Sequence, residues 1–234
     1  MTVGQFREAV LAQPKLRVVG SGSRLAWCTP WDGPTVSTLG LTGIEELSVP
    51  DRLVTVLAGT HVVDLLDELR THGLGLPLAH GDPVVTQRYG TVGGLLMGGL
   101  PAWGGETRDW VLGMQVLRAD GSLCRVGAKV AKSVAGYDGH RFFVGSRGGV
   151  VACVSVTLRL WPSALVDGLQ APSFAEIGAV WFEGRVRWGA SVPPGSDWWI
   201  GKSGARSPSS VPDLERRAKS ILDPEGRFVE GWQA

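Results

Sequence analysis

Apolar positions change their period several times along this chain, and each change marks an element. Thr2 with Gln5 three residues later forms a capping-box pattern, and Val3, Phe6 and Val10 then fall on one helical face, predicting a helix to about Gln13. Leu16 to Val19 reads as a short buried strand that stops in the polar turn Gly20-Ser21-Gly22-Ser23-Arg24. Two more strands follow, Ile44 to Val49 and Leu53 to Leu57. The second has Leu53, Thr55 and Leu57 on one face and Val54 and Val56 on the other, as expected of a strand covered on both sides. Thr60 reads as the cap of a helix whose apolar residues Val62, Leu65, Leu66 and Leu69 recur at i, i+3, i+4 and i+7, with Gly73 at its stop.

The stretch from Gly81 to Gly105 is rich in glycine and poor in periodic apolar positions, too long for a simple turn, and is read as functional. Val111 to Leu117 and Leu123 to Val126 flank Asp120-Gly121, which predicts a hairpin closed by a two-residue turn. Asp138 is placed to cap a short helix through Phe143. Val154, Val156, Leu158 and Leu160 alternate with Ser155, Thr157 and Arg159 in a strand expected to have one wet face, closed by Pro162. Beyond it, Val180 to Phe182 and Val186 to Trp188 suggest a small hairpin about Glu183-Gly184. A Pro-, Gly- and Ser-rich stretch from Pro193 to Pro212 reads as loop, and Asp213 to Leu222 as a last helix stopped by Pro224. Mixed strands and helices in this order define an α/β (α+β) class, and 234 residues suffice for one two-lobed domain with a tail.

Composition adds one pointer and several exclusions. The 34 glycines are about twice the usual share of roughly 7% and cluster in three groups, Gly20 and Gly22, Gly90 to Gly105, and Gly145 to Gly149, where backbone can approach a ligand closely. Lysine plus arginine number 23 against 22 acidic residues, without a basic run, so neither a nucleic acid nor an anionic membrane surface is an expected partner. Cys28, Cys124 and Cys153 are isolated from one another, which encodes neither a disulfide framework nor an iron–sulfur site. No export signal and no membrane span are expected, and a reducing cytoplasm fits. The four histidines lack ligand spacing and read as surface or helix-end residues, so no metal is assigned.

Four segments taken together carry a family resemblance. They are Arg17 to Arg24, Val54 to Thr60 with Gly75-Leu76-Pro77 downstream, Gly90-Thr91-Val92-Gly93-Gly94 with Arg108-Asp109-Trp110-Val111-Leu112-Gly113, and Lys132-Ser133-Val134-Ala135-Gly136-Tyr137-Asp138 leading to Gly145-Ser146. The ending Asp223-Pro224-Glu225-Gly226-Arg227-Phe228 agrees with them. This series resembles the flavin-binding domain shared by relatives of vanillyl-alcohol oxidase and p-cresol methylhydroxylase (the PCMH type), and within that group the FAD-binding E-subunit family of glycolate oxidases. The resemblance implies a PCMH-type FAD-binding domain over 1–165, a strongly reduced cap over 166–210, and a C-terminal helix and tail over 211–234.

A dinucleotide diphosphate needs several backbone N–H groups aimed into one small space with no Cβ in the way, and glycine and serine loops meet that need. By resemblance, Gly20, Ser21, Gly22, Ser23 and Arg24 hold the diphosphate from one lobe, and Gly90, Thr91, Val92, Gly93 and Gly94 approach it from the other. Either loop alone is also compatible with an ordinary tight turn. The implied cofactor site extends to Tyr137, Asp138, Gly148 and Val151, where Val151 replaces a glycine usual in the family. Ser23 and Arg24 offer no histidine for covalent attachment, so the FAD is expected to be non-covalent. For Asp138 the capping role outweighs a catalytic one, and Lys129 and Lys132 read as solvated or phosphate-facing. No catalytic residue is assigned.

The function so implied is that of a subunit in a multi-subunit 2-hydroxyacid dehydrogenase, with a catalytic flavin paralogue and an iron–sulfur protein as partners. It would be cytoplasmic, or peripheral to the inner membrane through those partners. Two alternatives stand beside it: a non-catalytic assembly subunit binding FAD weakly or not at all, and a stand-alone flavin oxidase. Trp181, Trp188, Trp198 and Trp199 lie in a segment too short for its own core, which leads us to expect partner docking there.

Overall fold

The structure is a computed structural model that describes residues 1–23, 25, 28, 30–78, 90–98, 109–128, 139–167, 177–182, 185–187, 198–201, 204–206 and 213–229, the backbone alone between 177 and 215. In order, the elements are α1 (Val3–Leu11), β1 (Arg17–Val19), β2 (Thr35–Ser37), β3 (Ile44–Ser48), β4 (Leu53–Leu57), α2 (Val62–Thr71), β5 (Leu74–Gly75), α3 (Val92–Gly98), β6 (Val111–Leu117), β7 (Leu123–Gly127), α4 (Gly139–Phe143), β8 (Ala152–Arg159), β9 (Trp161–Pro162), α5 (Ser163–Val166), β10 (Ile177–Phe182), β11 (Arg185–Arg187), β12 (Trp198–Gly201), β13 (Gly204–Arg206) and α6 (Asp213–Leu222).

Two cores organise the chain. The larger packs one face of an antiparallel sheet, ordered β3-β4-β8-β6-β7, against α2 and α3, with Val54, Val56, Leu65, Leu69, Leu96, Trp110, Val156 and Leu158 all buried. The smaller gathers Phe6 and Val10 of α1, Leu16, Leu41 and Phe228 around Leu117, Ala152 and Val154 from the ends of β6 and β8. Its backbone frame is the parallel pair β1 and β2, to which the C-terminal tail adds through a parallel bridge between Leu16 and Phe228.

The capping box of α1 forms as expected, with the Gln5 amide donating to Thr2 Oγ1 at 3.2 Å and the Thr2 amide to Gln5 Oε1 at 2.8 Å. Thr60 does not cap α2. His61 is the N-cap, and the Thr60 hydroxyl instead accepts from the Gly43 amide at 2.9 Å, tying the loop before β3 to the end of β4. Gly73 ends α2 at a φ of 67°, a left-handed geometry open to glycine.

The β6–β7 hairpin has the expected strands and a different turn. Gly121 donates to the Arg118 carbonyl at 3.0 Å and Arg118 to the Ser122 carbonyl at 2.9 Å, so three residues, Ala119, Asp120 and Gly121, form the loop. Only Gly121 has a positive φ, 81°, which makes this a type I turn followed by a left-handed glycine rather than a two-residue turn needing two left-handed residues. The Asp120 carboxylate accepts from the Ser122 hydroxyl at 2.6 Å and its amide at 2.8 Å, and these bonds hold its pKa below the usual carboxylate range.

Strand β8 lacks the wet face expected of it. It is central in the sheet, and Ser155 and Thr157 are buried along with the apolar positions, Thr157 sharing a 3.0 Å hydroxyl contact with Thr55 across to β4. Its register against β6 shifts where Gln115 faces Ser155 and Val116 faces Cys153, leaving Val154 as an extra residue. The bulge inverts the alternation, so Val151 and Cys153 join the same core as Val156 and Leu158 while Ala152 and Val154 face the smaller one. One strand thereby serves both cores.

The expected hairpin past residue 176 is present as β10 and β11, with Phe182 opposite Arg185. The segment read as loop from Pro193 to Pro212 contains a second hairpin, β12 and β13, and together they form a sheet ordered β11-β10-β12-β13. Short strands among glycines and prolines carry too little apolar alternation for periodicity to reveal them. Trp181 and Trp198 are register partners in this sheet. The docking expectation for the tryptophan side chains, Trp188 included, lies outside the described residues.

Candidate functional site: a cleft between the two cores

β1 runs parallel to β2, and the chain must turn sharply where β1 ends because Val19 gives its carbonyl to the Thr38 amide at 2.8 Å. The turn consists of Gly20 to Ser23, with Gly22 at a φ of 77°, a backbone that side chains rarely tolerate. Among the described residues, the amides of Gly20, Ser21, Gly22 and Ser23 donate to no other group. The Ser21 and Ser23 hydroxyls lie 3.4 Å apart.

The second glycine loop leads into α3 and abuts the first so closely that a Cβ on Gly20 would stand 2.2 Å from Thr91 Oγ1. Its amides, unlike those of the first, are engaged. Val92 donates to the Thr60 carbonyl at 2.9 Å, Gly93 to the Ala58 carbonyl at 2.8 Å, and Gly94 to the Thr91 hydroxyl at 3.1 Å. Gly93 has to be glycine for β4 to pack against α3, since a Cβ there would lie 2.9 Å from that of Ala58. This loop therefore offers the site a buried threonine and bare glycine Cα atoms, not a fan of amide donors.

A third turn closes the cleft. Gly145 donates to the Leu96 carbonyl at 3.0 Å and Arg147 to the Met97 carbonyl at 2.7 Å, so the turn is strapped to the C-terminal end of α3. Gly145, Arg147 and Gly148 have φ values of 88°, 51° and 73°. Gly148 passes β1 with space for a Cβ only 4.0 Å from the Val18 carbonyl. Burial of the Arg147 guanidinium pulls its pKa down to about 10, an effect that the neighbouring Cys28 opposes.

The cleft is half open to solvent, and its empty space, the open solvent at its mouth included, is about 840 Å³. Of the residues singled out from sequence, Gly20, Ser21, Gly22, Ser23, Thr91, Gly93, Gly94, Gly148 and Val151 line it together. Gly90 and Val92 do not, because they pair with α2 and Thr60 behind the wall. Arg24, Tyr137, Asp138, Lys129 and Lys132 lie outside the described residues. Val151 is fully buried, its side chain among the larger core and its atoms part of the cleft wall.

Sequence reasoning missed Thr38, Ala58, Met97 and Arg147 as lining residues. Arg147 had a usable signal, a charged residue inside the Gly145-to-Gly149 cluster, whereas Thr38 and Ala58 reach the site only because β2 and β4 pass beside it. His140 is a helix-end histidine as expected, in the first turn of α4, but not a surface one. It is buried where α4 packs on β7, close enough that a Cβ on Gly127 would lie 2.6 Å from its Nδ1.

Four adjacent amides that donate to no group among the described residues, two hydroxyls and a guanidinium beside one cleft suit the charge of a dinucleotide diphosphate. The comparisons with known proteins agree. A family model described as FAD binding domain matches residues 6–127, more than half of the chain. The chain is 30% identical to glycolate oxidase subunit GlcE of Escherichia coli strain K12 over 162 residues, 68% of this chain and 45% of that protein. It is 35% identical to glycolate oxidase subunit GlcD of Bacillus subtilis strain 168 over 149 residues, 61% of this chain and 31% of that one. With a D-lactate dehydrogenase of Archaeoglobus fulgidus it shares 32% identity over 135 residues, 56% and 29% of the respective chains.

This chain belongs to the FAD-binding domain family, in its PCMH-type α/β form, and its cofactor is FAD. The matches cover less than half the length of these curated relatives. No helix among the described residues is long and apolar enough to cross a membrane.

Proposed function

We propose that this chain is the FAD-binding subunit of a multi-subunit, glycolate-oxidase-like 2-hydroxyacid dehydrogenase that passes electrons to an iron–sulfur partner. The observation that carries the reading is the meeting of three glycine turns on one cleft, in a chain similar to glycolate oxidase subunits over 61% and 68% of its length. Gly20, Ser21, Gly22 and Ser23, with Arg24 following, hold the diphosphate through amides and side chains. Thr91, Gly93 and Gly94 close the other side by shape. Tyr137 and Asp138 complete the site, and Gly148 and Val151 line its far wall. Binding is non-covalent, since Ser23 and Arg24 bring no imidazole to the cofactor.

Bound FAD supplies a two-electron acceptor for conversion of a 2-hydroxy acid to the 2-oxo acid. The protein's own part is to bind and orient it, with Ala58, Met97 and Val151 giving the cleft an apolar wall beside the Gly20–Ser23 turn. Residues 166–210 are a reduced cap, too small to enclose a substrate alone, so a catalytic flavin paralogue and the iron–sulfur subunit complete the enzyme. It works in the cytoplasm or is held at the inner membrane by those partners.

A second reading, an assembly subunit with weak FAD binding, is favoured by the engaged amides of Val92, Gly93 and Gly94 and by the bulk of Val151. Bound flavin separates the two. The chain is purified alone and with its neighbouring subunits, and its visible absorbance is followed on anaerobic addition of glycolate or D-lactate. Yellow protein bleached in the complex supports the enzyme subunit. A colourless chain that restores activity to the other subunits supports assembly.

A further inference from the structure

We infer that Arg147, at the tip of the turn between α4 and β8, brings a second positive charge, beside that of Arg24, to pair with the diphosphate of the dinucleotide. This rests on the cofactor reading above and adds to it a residue from the lobe opposite the Gly20–Ser23 turn. Among the described residues that line the cleft, Arg147 is the only one with a charge. The other lining residues supply amides, hydroxyls and apolar surface, which can orient a dianion without neutralising it. A guanidinium also matches two phosphate oxygens at once through its planar fork of donors.

The backbone fixes where Arg147 sits. Arg147 holds a φ of 51° between two glycines that also have positive φ, in a region where arginine is disfavoured and glycine is at ease. Its amide is fixed to the Met97 carbonyl at 2.7 Å, and Arg147 and Gly148 line the same cleft as Val18 and Val19 of β1, the strand that leads into the Gly20–Ser23 loop. Burial that lowers the guanidinium pKa to about 10 agrees, because the opposite charge of an anion in the cleft offsets that desolvation penalty.

The test compares ligands with and without a diphosphate. Dissociation constants for FAD, ADP and riboflavin are measured by fluorescence quenching and calorimetry on the full chain and on Arg147→Asn and Arg147→Lys. Asparagine tolerates a positive φ and keeps the turn while removing the charge. Lysine keeps the charge and loses the fork. The expected result is a loss of about 10- to 100-fold in FAD and ADP affinity for Arg147→Asn, the range for a charge-assisted hydrogen bond. Riboflavin affinity stays unchanged, and Arg147→Lys recovers part of the loss.

Equal FAD affinity in wild type and Arg147→Asn overturns the inference while leaving the cofactor reading intact. The inference also fails if FAD and riboflavin weaken by one common factor, since that marks a turn residue. A wild-type chain that binds none of the three ligands overturns the cofactor reading and this inference with it.

Discussion

Gly59 is confined more tightly than any other glycine of the described chain. A Cβ there would stand 1.8 Å from the Thr38 carbonyl and 2.8 Å from that of Leu41, both backbone atoms that cannot swing aside. Gly59→Ala should therefore cost about 3 kcal/mol or more, at the upper end of overpacking effects, and lower the urea midpoint. Cys153 carries a second residue-scale consequence. It is buried in β8 against the larger core, and burial pushes its thiol from 9.0 up to about 12. Because the folded state keeps the proton that the unfolded chain releases, its stabilising contribution is whole below pH 9 and is lost as pH rises toward about 12, with a slope of at most about 1.4 kcal/mol per pH unit. Denaturant titrations at several alkaline pH values should show this slope, and Cys153→Ala should reduce it. Thiol reagents should modify the partly exposed Cys28 and Cys124 and leave Cys153 intact in the native protein.

At the scale of elements, one side chain ties the last helix to both the cleft turn and the tail. Lys219 of α6 donates to the Gly149 carbonyl beside the cleft turn, to the Phe228 carbonyl of the tail and to the buried Asp223 carboxylate. Asp223 in turn accepts the amides of Arg227 at 2.7 Å and Phe228 at 2.9 Å. Removing one partner leaves the other buried and uncompensated, so Lys219→Met should destabilise by about 2–3 kcal/mol, below the full cost of a broken buried pair because Lys219 retains some solvent contact. Lys219→Met combined with Asp223→Asn should cost less than the sum of the two single changes, which a double-mutant cycle of melting curves will show. Phe228 pairs with Leu16 one strand away from the Gly20 turn, so this clasp joins the tail to both lobes that frame the cleft.

For the whole molecule, the cleft between two cores makes the cofactor a structural link as well as a reagent. A ligand that binds only the folded state at about 100 times its dissociation constant stabilises by about 2.7 kcal/mol. For a chain of 234 residues, FAD should thus raise the melting temperature by roughly 5–10 °C, readable by a thermal shift assay. Riboflavin, lacking the diphosphate, should give a smaller shift. The same organisation explains which parts of the architecture were legible. Strands β3, β4 and β6 and helices α1, α2 and α6 were visible because each buries a regular stripe that writes its period into the chain. The turn of β6–β7, the buried polar face of β8 and the strands β12 and β13 were not, since these depend on neighbours that periodicity does not name.

What the chain alone determined is the set of elements and the three glycine clusters, because helix and strand periods and the tolerance of glycine for left-handed backbone are local properties. Tertiary structure decided how those clusters are used. The amides of Val92 to Gly94 are taken by the Thr60 and Ala58 carbonyls and the Thr91 hydroxyl, those of Gly20 to Ser23 donate to no group among the described residues, and a bulge at Val154 turns β8 toward both cores. Hydrogen-bond donors are claimed by whichever acceptor the fold brings near, and that is settled only when β4, α3 and the turn at Arg147 have packed together.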